Sequence, residues 1–582
     1  MNDLLVCFDE IKTCIDNKNY EKADELLTLY RKRNSVYNDF VAILDGSIGA
    51  YFGDRKRQWK AIQKGLEHNS QNYELYVMLG NYYLEMNLHQ AYICYENAFF
   101  YCDDQEDKMQ IFALMQQLAD EYGIMVPKTA IVILSYNLLD YTKQCIESIR
   151  KSTLESSREI IIIDNASSDG SVEWLKTQKD IKLVLNTENK GFPAGCNQGI
   201  KEADSDSDIF LLNNDTILTP NALFWLRMGL YENENVGATG SVSNYVANGQ
   251  QIMKEWENVQ EILDFSDKNN VPLKYPYEEK LFLIGFAYLI KRSVLNKVGL
   301  LDEIFSPGNS EDVDYGLRVL QAGYKNVLCR NSFILHFGSK SFGKLGKGYA
   351  EILNKNQALL NKKWEMDMQY YMFPRMELVN LIEEEQEKRM NILDIGCGCG
   401  AIMAKVKSQY PLSEIKGIEI VSKAAQLASA IGEVTCGDVE QLDFSYPESY
   451  FDYCIMGDVL EHLREPQKVL IRLQKHMKKG GKIIVSMPNM KHWSVMLPLL
   501  KQDAFTYANA GILDKTHLKM YTNHEIQKLI STSGYKIEKV LYTTVGQPNE
   551  KEYEMINSLA QYMETPDVST FMAYQYIVVA HL

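Results

Sequence analysis

The chain has 582 residues, of which 46% are hydrophobic and 24% are charged, and these values are ordinary for a globular protein. One hydrophobic core does not organise a chain of this length, so three or four domains are expected. The formal net charge of -16 argues against a nucleic-acid partner and against docking on anionic lipid, because both need clustered Lys and Arg side chains.

The sequence predicts a cytoplasmic protein without a membrane-spanning helix. Met1–Glu10 lacks the basic start and apolar run of a signal peptide. The longest apolar stretch, Leu281–Ile290, has about half of the roughly 20 residues that a membrane-spanning helix needs. The eleven cysteines show no paired framework, and Cys397 and Cys399 lie in a glycine turn that a disulfide or a zinc knuckle would distort.

Residues 1–125 show helical periodicity and almost no strand pattern. Within Tyr73–Cys102, the spacing typical of a tetratricopeptide repeat is followed by Tyr76, Leu79, Gly80, Tyr83, Ala91, Tyr95 and Ala98. Residues 19–27 and 57–66 resemble degenerate second helices of further repeats. Stacked helical hairpins and an irregular helical bundle both fit this pattern. The region carries no catalytic group, so we expect it to bind a protein partner or to orient the enzyme.

Pro127 closes the helical region, and residues 127–365 alternate short apolar runs with helical stretches. This alternation predicts an α/β domain with parallel strands. Polar residues follow several strands and point into the crevice at the carboxyl ends of the sheet, where such folds bind ligands. These clusters are AIVILSYN (130–137), EIIIIDNASSDGS (159–171), ENKGFPAGCNQGI (188–200) and FLLNNDT (210–216).

The order of these clusters resembles glycosyltransferase family 2, whose members transfer a sugar with inversion from a nucleotide-sugar bound in a GT-A-type fold. The resemblance implies that Asp164 contacts the nucleotide base and that Asp215 ends the metal motif, with Asn213 where many members have Asp. Mg²⁺ or Mn²⁺ is expected to neutralise the negative charge that develops on the diphosphate as it leaves the donor. The predicted nucleotide-sugar-binding residues are Asn137, Asp164, Asn189, Asn213, Asn214 and Asp215.

A second acidic cluster follows in NSEDVDYGLRVLQAGY (309–324). The resemblance places the general base at Asp312, with Glu311 setting its orientation and pKa. ILHFGSKSF (334–342) implies His336 as a second metal ligand. Taken alone, Glu311, Asp312 and Asp314 suit the first turn of any helix, and His336 suits a core position.

The linker Met366–Arg375 and a predicted helix over residues 376–389 lead into a second α/β domain, residues 376–582. Its first strand ends in DIGCGCG, and a second strand, 414–420, ends near Glu419, 19 residues after Gly400. A dinucleotide site would also fit this turn. With CGDVEQLDF (436–444) and FDYCIMGDVLEHL (451–463), the pattern resembles class I methyltransferases that use S-adenosylmethionine in a Rossmann-like fold.

This resemblance implies cofactor-binding roles for five residues. Asp394 and Gly396 flank the methionine part, Glu419 binds the ribose hydroxyls, Asp438 approaches the adenine, and Gly398 belongs to the same predicted cofactor-binding set.

Asp458, Glu461 and His462 have the i, i+3, i+4 spacing of one helical face. His462 is a candidate general base for a hydroxyl acceptor, the three together are a candidate metal site, and helix capping explains them equally well. In ILDKTHLKMYT (512–522), Asp514 and His517 are expected on the acceptor side.

The sequence therefore predicts a multidomain, bifunctional enzyme of α-helical repeats followed by two α/β domains. One domain would transfer a sugar and the other would O-methylate a sugar. The acceptor would be a glycan or glycoprotein, such as a bacterial surface-glycan precursor or flagellin. The alternatives are an interaction scaffold with inactive enzyme domains, and a methyltransferase half that acts on a small molecule or a protein.

Overall fold

The structure, a computed structural model, describes residues 2–33, 37–338 and 347–582. The chain divides into two compact units, Met1–Lys363 and Trp364–Leu582. Among the described residues, no helix has the length and apolar composition needed to cross a membrane.

The first unit begins with seven helices. They are α1 (Asn2–Asp16), α2 (Tyr20–Arg33), α3 (Asp39–Tyr51), α4 (Arg55–His68), α5 (Tyr73–Tyr83), α6 (Leu88–Tyr101) and α7 (Gln105–Tyr122).

These helices pair in chain order, α1 with α2, α3 with α4 and α5 with α6. Gly80 lets α5 and α6 approach closely, because a Cβ atom there would lie 2.3 Å from Tyr95 Cε1. The series ends at Gly123, whose φ of 67° suits a residue without a side chain. Successive hairpins are what stacked repeats require, and the repeat assignment itself stays a prediction.

An eight-stranded sheet with flanking helices follows. Its elements and those beside it are β1 (Thr129–Ser135), α8 (Leu139–Ser152), β2 (Arg158–Asp164), α9 (Ser171–Leu175), β3 (Ile181–Leu185), α10 (Phe192–Glu202), β4 (Asp208–Asn213), β5 (Thr216–Ile217), α11 (Ala222–Leu230), β6 (Val236–Val242), α12 (Val259–Asn269), β7 (Tyr277–Lys280), β8 (Ala287–Ile290), α13 (Arg292–Val298), α14 (Glu311–Gln321), β9 (Lys325–Phe333), β10 (Leu335–His336) and α15 (Lys347–Trp364).

The sheet order is β3-β2-β1-β4-β8-β6-β9-β7, and β5 pairs separately with β10. Strands β3, β2, β1 and β4 are parallel, as predicted. The sheet is mixed, because β8 runs antiparallel to β4 and β6, and β7 runs antiparallel to β9. Apolar runs look alike in both directions, so periodicity alone does not reveal the reversal.

Helix α11 joins the helical region to this sheet, because every residue from Ala222 to Leu230 is buried. Leu223 and Leu226 face the sheet core, whereas Trp225 belongs to the core of the helical region. Glu96 of α6 forms a buried ion pair with Arg227. The helical region and the first α/β region therefore share one compact unit.

The second unit contains a seven-stranded sheet. Its elements are α16 (Met368–Tyr371), α17 (Met376–Val379), β11 (Asn391–Ile395), α18 (Ala401–Gln409), β12 (Glu414–Glu419), α19 (Ser422–Ala428), β13 (Glu433–Cys436), β14 (Phe451–Gly457), α20 (Pro466–Gln474), β15 (Met477–Pro488), α21 (Trp493–Gln502), α22 (Asn523–Thr532), β16 (Lys536–Thr543), α23 (Glu550–Ala560), α24 (Ser569–Met572) and β17 (Gln575–His581).

The sheet order is β13-β12-β11-β14-β15-β17-β16, with β17 antiparallel to both of its neighbours. The predicted fold class, a helical region followed by two α/β domains, is confirmed. The predicted helix over residues 376–389 is wrong, because α17 ends at Val379. The acid-rich run EEEQE that follows has no apolar spacing that would bury a helical face.

We expect Glu96→Gln to destabilise the first unit by about 3–5 kcal/mol, because it leaves the buried Arg227 charge without a counter-charge. Urea unfolding of the full chain, followed by tryptophan fluorescence, measures the shift. The matched control is Glu85→Gln, which removes an exposed pair with Arg55 at 2.7 Å and should cost less than about 1 kcal/mol. Equal shifts for the two variants would contradict this account of the shared core.

Candidate functional sites

The first site begins where β1 and β2 end side by side. Asn137, after β1, has a φ of 56°, and its side-chain oxygen accepts a hydrogen bond from the Ser168 amide at 2.9 Å. Asp164, the last residue of β2, is fully buried. Its Oδ1 accepts from the Ser167 amide at 2.9 Å, whereas its buried Oδ2 has no hydrogen-bond partner. This oxygen can accept a hydrogen bond from an N–H group of a ligand.

The glycine loop that leads into α10 lies next to Asp164. Asn165 donates from Nδ2 to Asn189 Oδ1 at 3.1 Å, and Asn189 Oδ1 also accepts from the Gly191 amide at 2.9 Å. Gly191 has a φ of 82°, and a Cβ atom there would lie 2.9 Å from Pro307 Cα. Asn189 therefore shapes the loop, and Gly191 allows the loop to pack against the segment before α14.

A two-stranded ladder brings the predicted metal ligands together. β5 and β10 pair antiparallel, with His336 opposite Thr216, the residue after Asp215. His336 Nε2 lies 3.2 Å from Asp215 Oδ1 and 3.5 Å from Asn213 Nδ2. The motif that suggested His336 continues into residues 339–342, which lie outside the described residues.

The hydrogen bonds of His336 make this pair suitable for a cation. Its Nδ1 lies 2.8 Å from the Tyr245 carbonyl oxygen, which can only accept, so Nδ1 carries the proton. In the neutral ring Nε2 then presents a lone pair to the Asp215 carboxylate. A divalent ion between the two groups replaces this unfavourable contact with two bonds, and oxygen and imidazole ligands suit such an ion.

Asn214 is oriented differently from its neighbours. Its Nδ2 donates to Thr142 Oγ1 of α8 at 3.0 Å, and the side chain is buried. This contact holds the turn after β4 against α8 and gives Asn214 a supporting position.

One loop, residues 283–286, contacts both the acid pair Glu311–Asp312 at the start of α14 and the predicted metal ligands. Asp312 Oδ2 accepts from the Gly285 amide at 3.0 Å, and the Phe286 carbonyl accepts from the Asn213 amide at 2.9 Å. The Phe286 ring also stacks on His336, with centroids 5.1 Å apart. The loop therefore fixes the distance between the acid pair and the metal ligands.

Glu311 and Asp312 differ from Asp314, the third acid of the motif. Burial, together with the Asp312 charge, holds the pKa of Glu311 well above its usual range, and Glu311 Oε2 has no hydrogen-bond partner. Burial also raises the pKa of Asp312. Asp314 instead forms ion pairs with Arg318 and Lys363, both at 2.8 Å, and so has a structural role.

Asn356 of α15 is a supporting residue that the sequence did not reveal. It is fully buried, and its Nδ2 donates to the carbonyl oxygens of Phe305, Gly308 and Asn309 at 2.7, 2.9 and 3.0 Å. These bonds hold the loop just before Glu311. An asparagine inside a polar helix gives no sequence signal for such a contact.

In the second unit, three glycines with positive φ turn the chain from β11 into α18: Gly396, Gly398 and Gly400. A Cβ atom at Gly396 would lie 2.6 Å from Val459 Cγ2, and one at Gly398 would lie 2.8 Å from the Tyr371 carbonyl oxygen. Val459 and the Tyr371 backbone therefore pack so closely against the turn that neither position has room for a Cβ atom. Tyr371 also accepts from the Cys399 amide at 2.9 Å, so α16 covers the turn.

Two carboxylates lie at the ends of β11 and β12. Asp394 is fully buried, and neither of its carboxylate oxygens has a hydrogen-bond partner. Burial and the nearby Glu419 charge raise the pKa of Asp394 to about 8. Glu419 accepts from the Gly398 amide and the Val421 amide, both at 2.8 Å. An ammonium group of a ligand could supply the hydrogen-bond donors and the positive charge that the Asp394 carboxylate lacks.

Asp438 follows β13, at the edge of this crevice. Its Oδ1 accepts from the Glu440 amide and its Oδ2 accepts from Gln441 Nε2, both at 2.9 Å. The preceding Gly437 amide donates to the Glu419 carbonyl at 2.9 Å. Asp438 and Glu419 therefore lie on adjacent loops at one end of the sheet.

Arg375 was predicted to lie in a linker, and this prediction is wrong. Its Nη1 pairs with Asp458 after β14, and its Nη2 donates to Ser486 Oγ at 3.1 Å and to Gln575 Oε1 at 3.2 Å. Asp458 Oδ1 accepts from Ser486 Oγ at 2.9 Å and from Gln575 Nε2 at 2.8 Å. A guanidinium group therefore lies at the carboxyl ends of β14 and β15.

Glu461 and His462 lie on the short turn Leu460–His462, next to His517. Asp458 pairs with Arg375 instead. His462 Nδ1 lies 3.2 Å from the Thr516 carbonyl, and the two imidazole rings are 4.8 Å apart. Glu461 is fully buried, and its carboxylate oxygens have no hydrogen-bond partner. Asp514 Oδ1 accepts from the Thr516 amide at 2.8 Å and thus shapes the loop beside His517.

Comparison with known families gives two matches. The family model described as "Glycosyl transferase family 2" matches residues 130–299, and the model described as "Methyltransferase domain" matches residues 364–540. Asp164 and Asp215 lie within the first match, whereas Asp312 and His336 follow it.

Curated relatives match one region each. Ajmaline N-methyltransferase of Rauvolfia serpentina is 31% identical over 128 residues, which are 19% of this chain and 44% of the relative. The uncharacterized glycosyltransferase YfnE of Bacillus subtilis is 25% identical over 252 residues, 36% of this chain and 64% of the relative. Ubiquinone biosynthesis O-methyltransferase of Rickettsia felis is 23% identical over 234 residues, 38% of this chain and 91% of the relative.

The chain spans less than two thirds of the length of the first two of these relatives. The two family matches fall on the two sheets described above, one in each compact unit. The chain therefore joins a domain of glycosyltransferase family 2 to a domain of the methyltransferases.

Proposed function

We propose that the protein is a bifunctional glycan-modifying enzyme that transfers a sugar from a nucleotide-diphosphate donor with inversion and methylates a sugar hydroxyl with S-adenosylmethionine. One observation carries the proposal. In each sheet, buried carboxylate oxygens without hydrogen-bond donors lie at the carboxyl ends of parallel strands, Asp164 in the first and Asp394 in the second. The resemblance to each family assigns a donor-binding role to the residue at this position.

For sugar transfer, Asp164 Oδ2 accepts a hydrogen bond from the nucleotide base, and Asn137 and Asn189 hold the loops around it. Asp215 and His336 would hold Mg²⁺ or Mn²⁺, and such an ion would neutralise the negative charge that develops on the departing diphosphate. Asn213 contacts the donor from the same turn.

Asp312 acts as the general base that takes the proton from the acceptor hydroxyl. Its raised pKa makes it a stronger base, and correct placement of such a group contributes typically 10²–10⁴-fold to the rate. The Gly285 amide keeps it in place, and we assign to the neighbouring Glu311 the role of setting its pKa and orientation.

For methyl transfer, Asp394 binds the methionine ammonium, Glu419 the ribose hydroxyls and Asp438 the adenine. Gly396 and Gly398 allow the cofactor to approach the backbone. The Arg375 guanidinium supports the methionine carboxylate, since it already lies among polar groups at the ends of β14 and β15. The bound cofactor supplies an electrophilic methyl group, and His462 and His517 line the acceptor side. Transfer then depends on the alignment of the acceptor oxygen with that methyl group.

The acceptor is a glycan or glycoprotein, such as a surface-polysaccharide precursor or flagellin, and the helices α1–α7 recruit it or a protein partner. Linking two enzymes in one chain raises the effective concentration of the first product at the second site. We place both reactions in the reducing cytoplasm, because ten described cysteines are unpaired thiols and nine of these are buried.

Two alternatives are weaker. A scaffold with inactive enzyme domains predicts lost acids or lost glycines, whereas Asp312, Asp394 and the three glycines of the turn are all present. A methyltransferase half that acts on a small molecule remains the second candidate, since the names of the relatives include ajmaline and ubiquinone-pathway enzymes.

Separate assays of the full chain test the two activities. Asp312→Asn should lower sugar transfer by about 10²–10⁴-fold, because it removes the base, and should leave methylation unchanged. Gly396→Arg should do the reverse, because its side chain fills the space beside Val459. Asp206→Asn, at an exposed position, is the control and should change neither rate. If each of the first two variants loses both activities while still folded, independent sites are wrong.

Asp394 also gives a pH prediction. Its pKa in the folded state, about 8, lies above the ordinary value of 3.8. The free energy of unfolding therefore falls as the pH rises from about 4 to about 8. Asp394→Asn should therefore lose less stability than the wild type between about pH 5 and pH 8 in urea unfolding without ligand. It should also bind S-adenosylmethionine more weakly, because it lacks the charge that meets the ammonium.

The control for this pH prediction is Asp443→Asn, in an exposed loop of the same unit. It should follow the wild type in both the unfolding and the binding measurements. A pH dependence of Asp394→Asn identical to that of the wild type would show that the carboxyl group is ionised in the folded state.

A further inference from the structure

We propose that Glu461, His462 and His517 form a binding site for one divalent transition-metal ion in the methyltransferase unit, distinct from the site of Asp215 and His336. Each of the three residues offers a ligand atom within 4.8 Å of those of the other two. An ion with ligand distances of about 2.0–2.2 Å fits among them once side-chain rotations move the ligand atoms by about 1 Å.

The histidines are already oriented as metal ligands. His462 Nδ1 lies 3.2 Å from the Thr516 carbonyl and His517 Nδ1 lies 2.9 Å from the Ile512 carbonyl. A carbonyl only accepts, so each Nδ1 carries the proton and each Nε2 keeps its lone pair. Metal-binding histidines usually donate their second N–H to a carbonyl or carboxylate in this way, which fixes the tautomer and the ring.

Glu461 provides an independent observation. The side chain is fully buried, and both carboxylate oxygens lack a hydrogen-bond partner. Arg375, whose charge acts on Glu461, is already paired with Asp458. A buried carboxylate in this state is costly unless a cation or a proton neutralises it.

The backbone keeps the three residues together. The Glu461 carbonyl oxygen accepts from the Leu518 amide at 2.9 Å and from the Lys519 amide at 3.2 Å. His517 therefore stays beside Glu461, although 55 residues separate them in sequence. These bonds do not involve the ligand atoms, so they hold the site in place before an ion binds.

The ligand types decide which ion fits. Two imidazoles and one carboxylate suit Zn²⁺, Mn²⁺, Fe²⁺, Co²⁺ or Ni²⁺, whereas Mg²⁺ and Ca²⁺ prefer oxygen ligands. Three protein ligands leave positions open for water or for an oxygen of the acceptor.

This site changes the role expected for His462. If its Nε2 binds an ion, His462 cannot act as a general base. If the enzyme methylates a hydroxyl group, as proposed above, an acceptor oxygen bound to the ion would lose its proton more readily. The binding site itself does not depend on that activity.

Cobalt titration of the full chain tests the site. The background variant Asp215→Asn removes the first metal site, and chelator-treated protein is then titrated with Co²⁺ while visible absorption is recorded. One equivalent should bind. His517→Gln in this background should weaken binding by at least about 100-fold, because it removes one of three ligands. The matched control, His524→Gln on the exposed face of α22, should bind like the background.

Two results would overturn the proposal: no Co²⁺ bound by the background variant, or equal binding after His517→Gln. Glu461→Gln, which keeps the side-chain volume, is a second test and should also weaken binding. Cooperative thermal unfolding of each variant shows that it is folded. Calorimetry with S-adenosylmethionine is measured in parallel, so that loss of the metal site and failure of the proposed methyltransferase function are told apart.

Discussion

Buried carboxylate oxygens without a hydrogen-bond donor are the constraint on which both sites depend. Asp164 and Glu311 each have one such oxygen in the first unit, and Asp394 and Glu461 each have two in the second. Burial of an ionised carboxylate without a partner is expensive, so such groups persist where a ligand or a proton neutralises them. In the proposed function, these are the positions at which a base N–H, an ammonium group or a metal ion binds.

Parallel strands bring these groups together. In the second sheet Asp394 and Glu419 lie at the ends of the neighbouring strands β11 and β12, and in the first sheet Asp164 ends β2 and Asp215 follows β4, with β1 between them. Their strands end at the same edge of the sheet, although many residues separate them in sequence. Local contacts then set their orientation. The loop with Gly285 and Phe286 joins Asp312 to the Asp215–His336 pair, and the glycine turn after β11 donates from the Gly398 amide to Glu419.

The sequence was sufficient for the features that are local. The glycine turn, the strand-end acids and the order of the two α/β domains could be predicted, because each depends on a short motif and its spacing. Features that depend on distant pairing could not. Arg375 meets Asp458 across 83 residues, Asn356 caps a loop 47 residues earlier, and the reversal of β8 leaves no mark in its apolar pattern. His517 lies beside Glu461 because the amides of Leu518 and Lys519 donate to the Glu461 carbonyl oxygen, and the sequence gives no sign of these bonds.

Calorimetry on the full chain tests the central claim most directly. A nucleoside diphosphate with Mn²⁺ and S-adenosylmethionine should each bind once, and saturation with one ligand should leave the other site available. Asp215→Asn should remove only the first binding event, and Gly396→Arg only the second. Binding of neither ligand, or loss of both events in either folded variant, would contradict two separate donor sites.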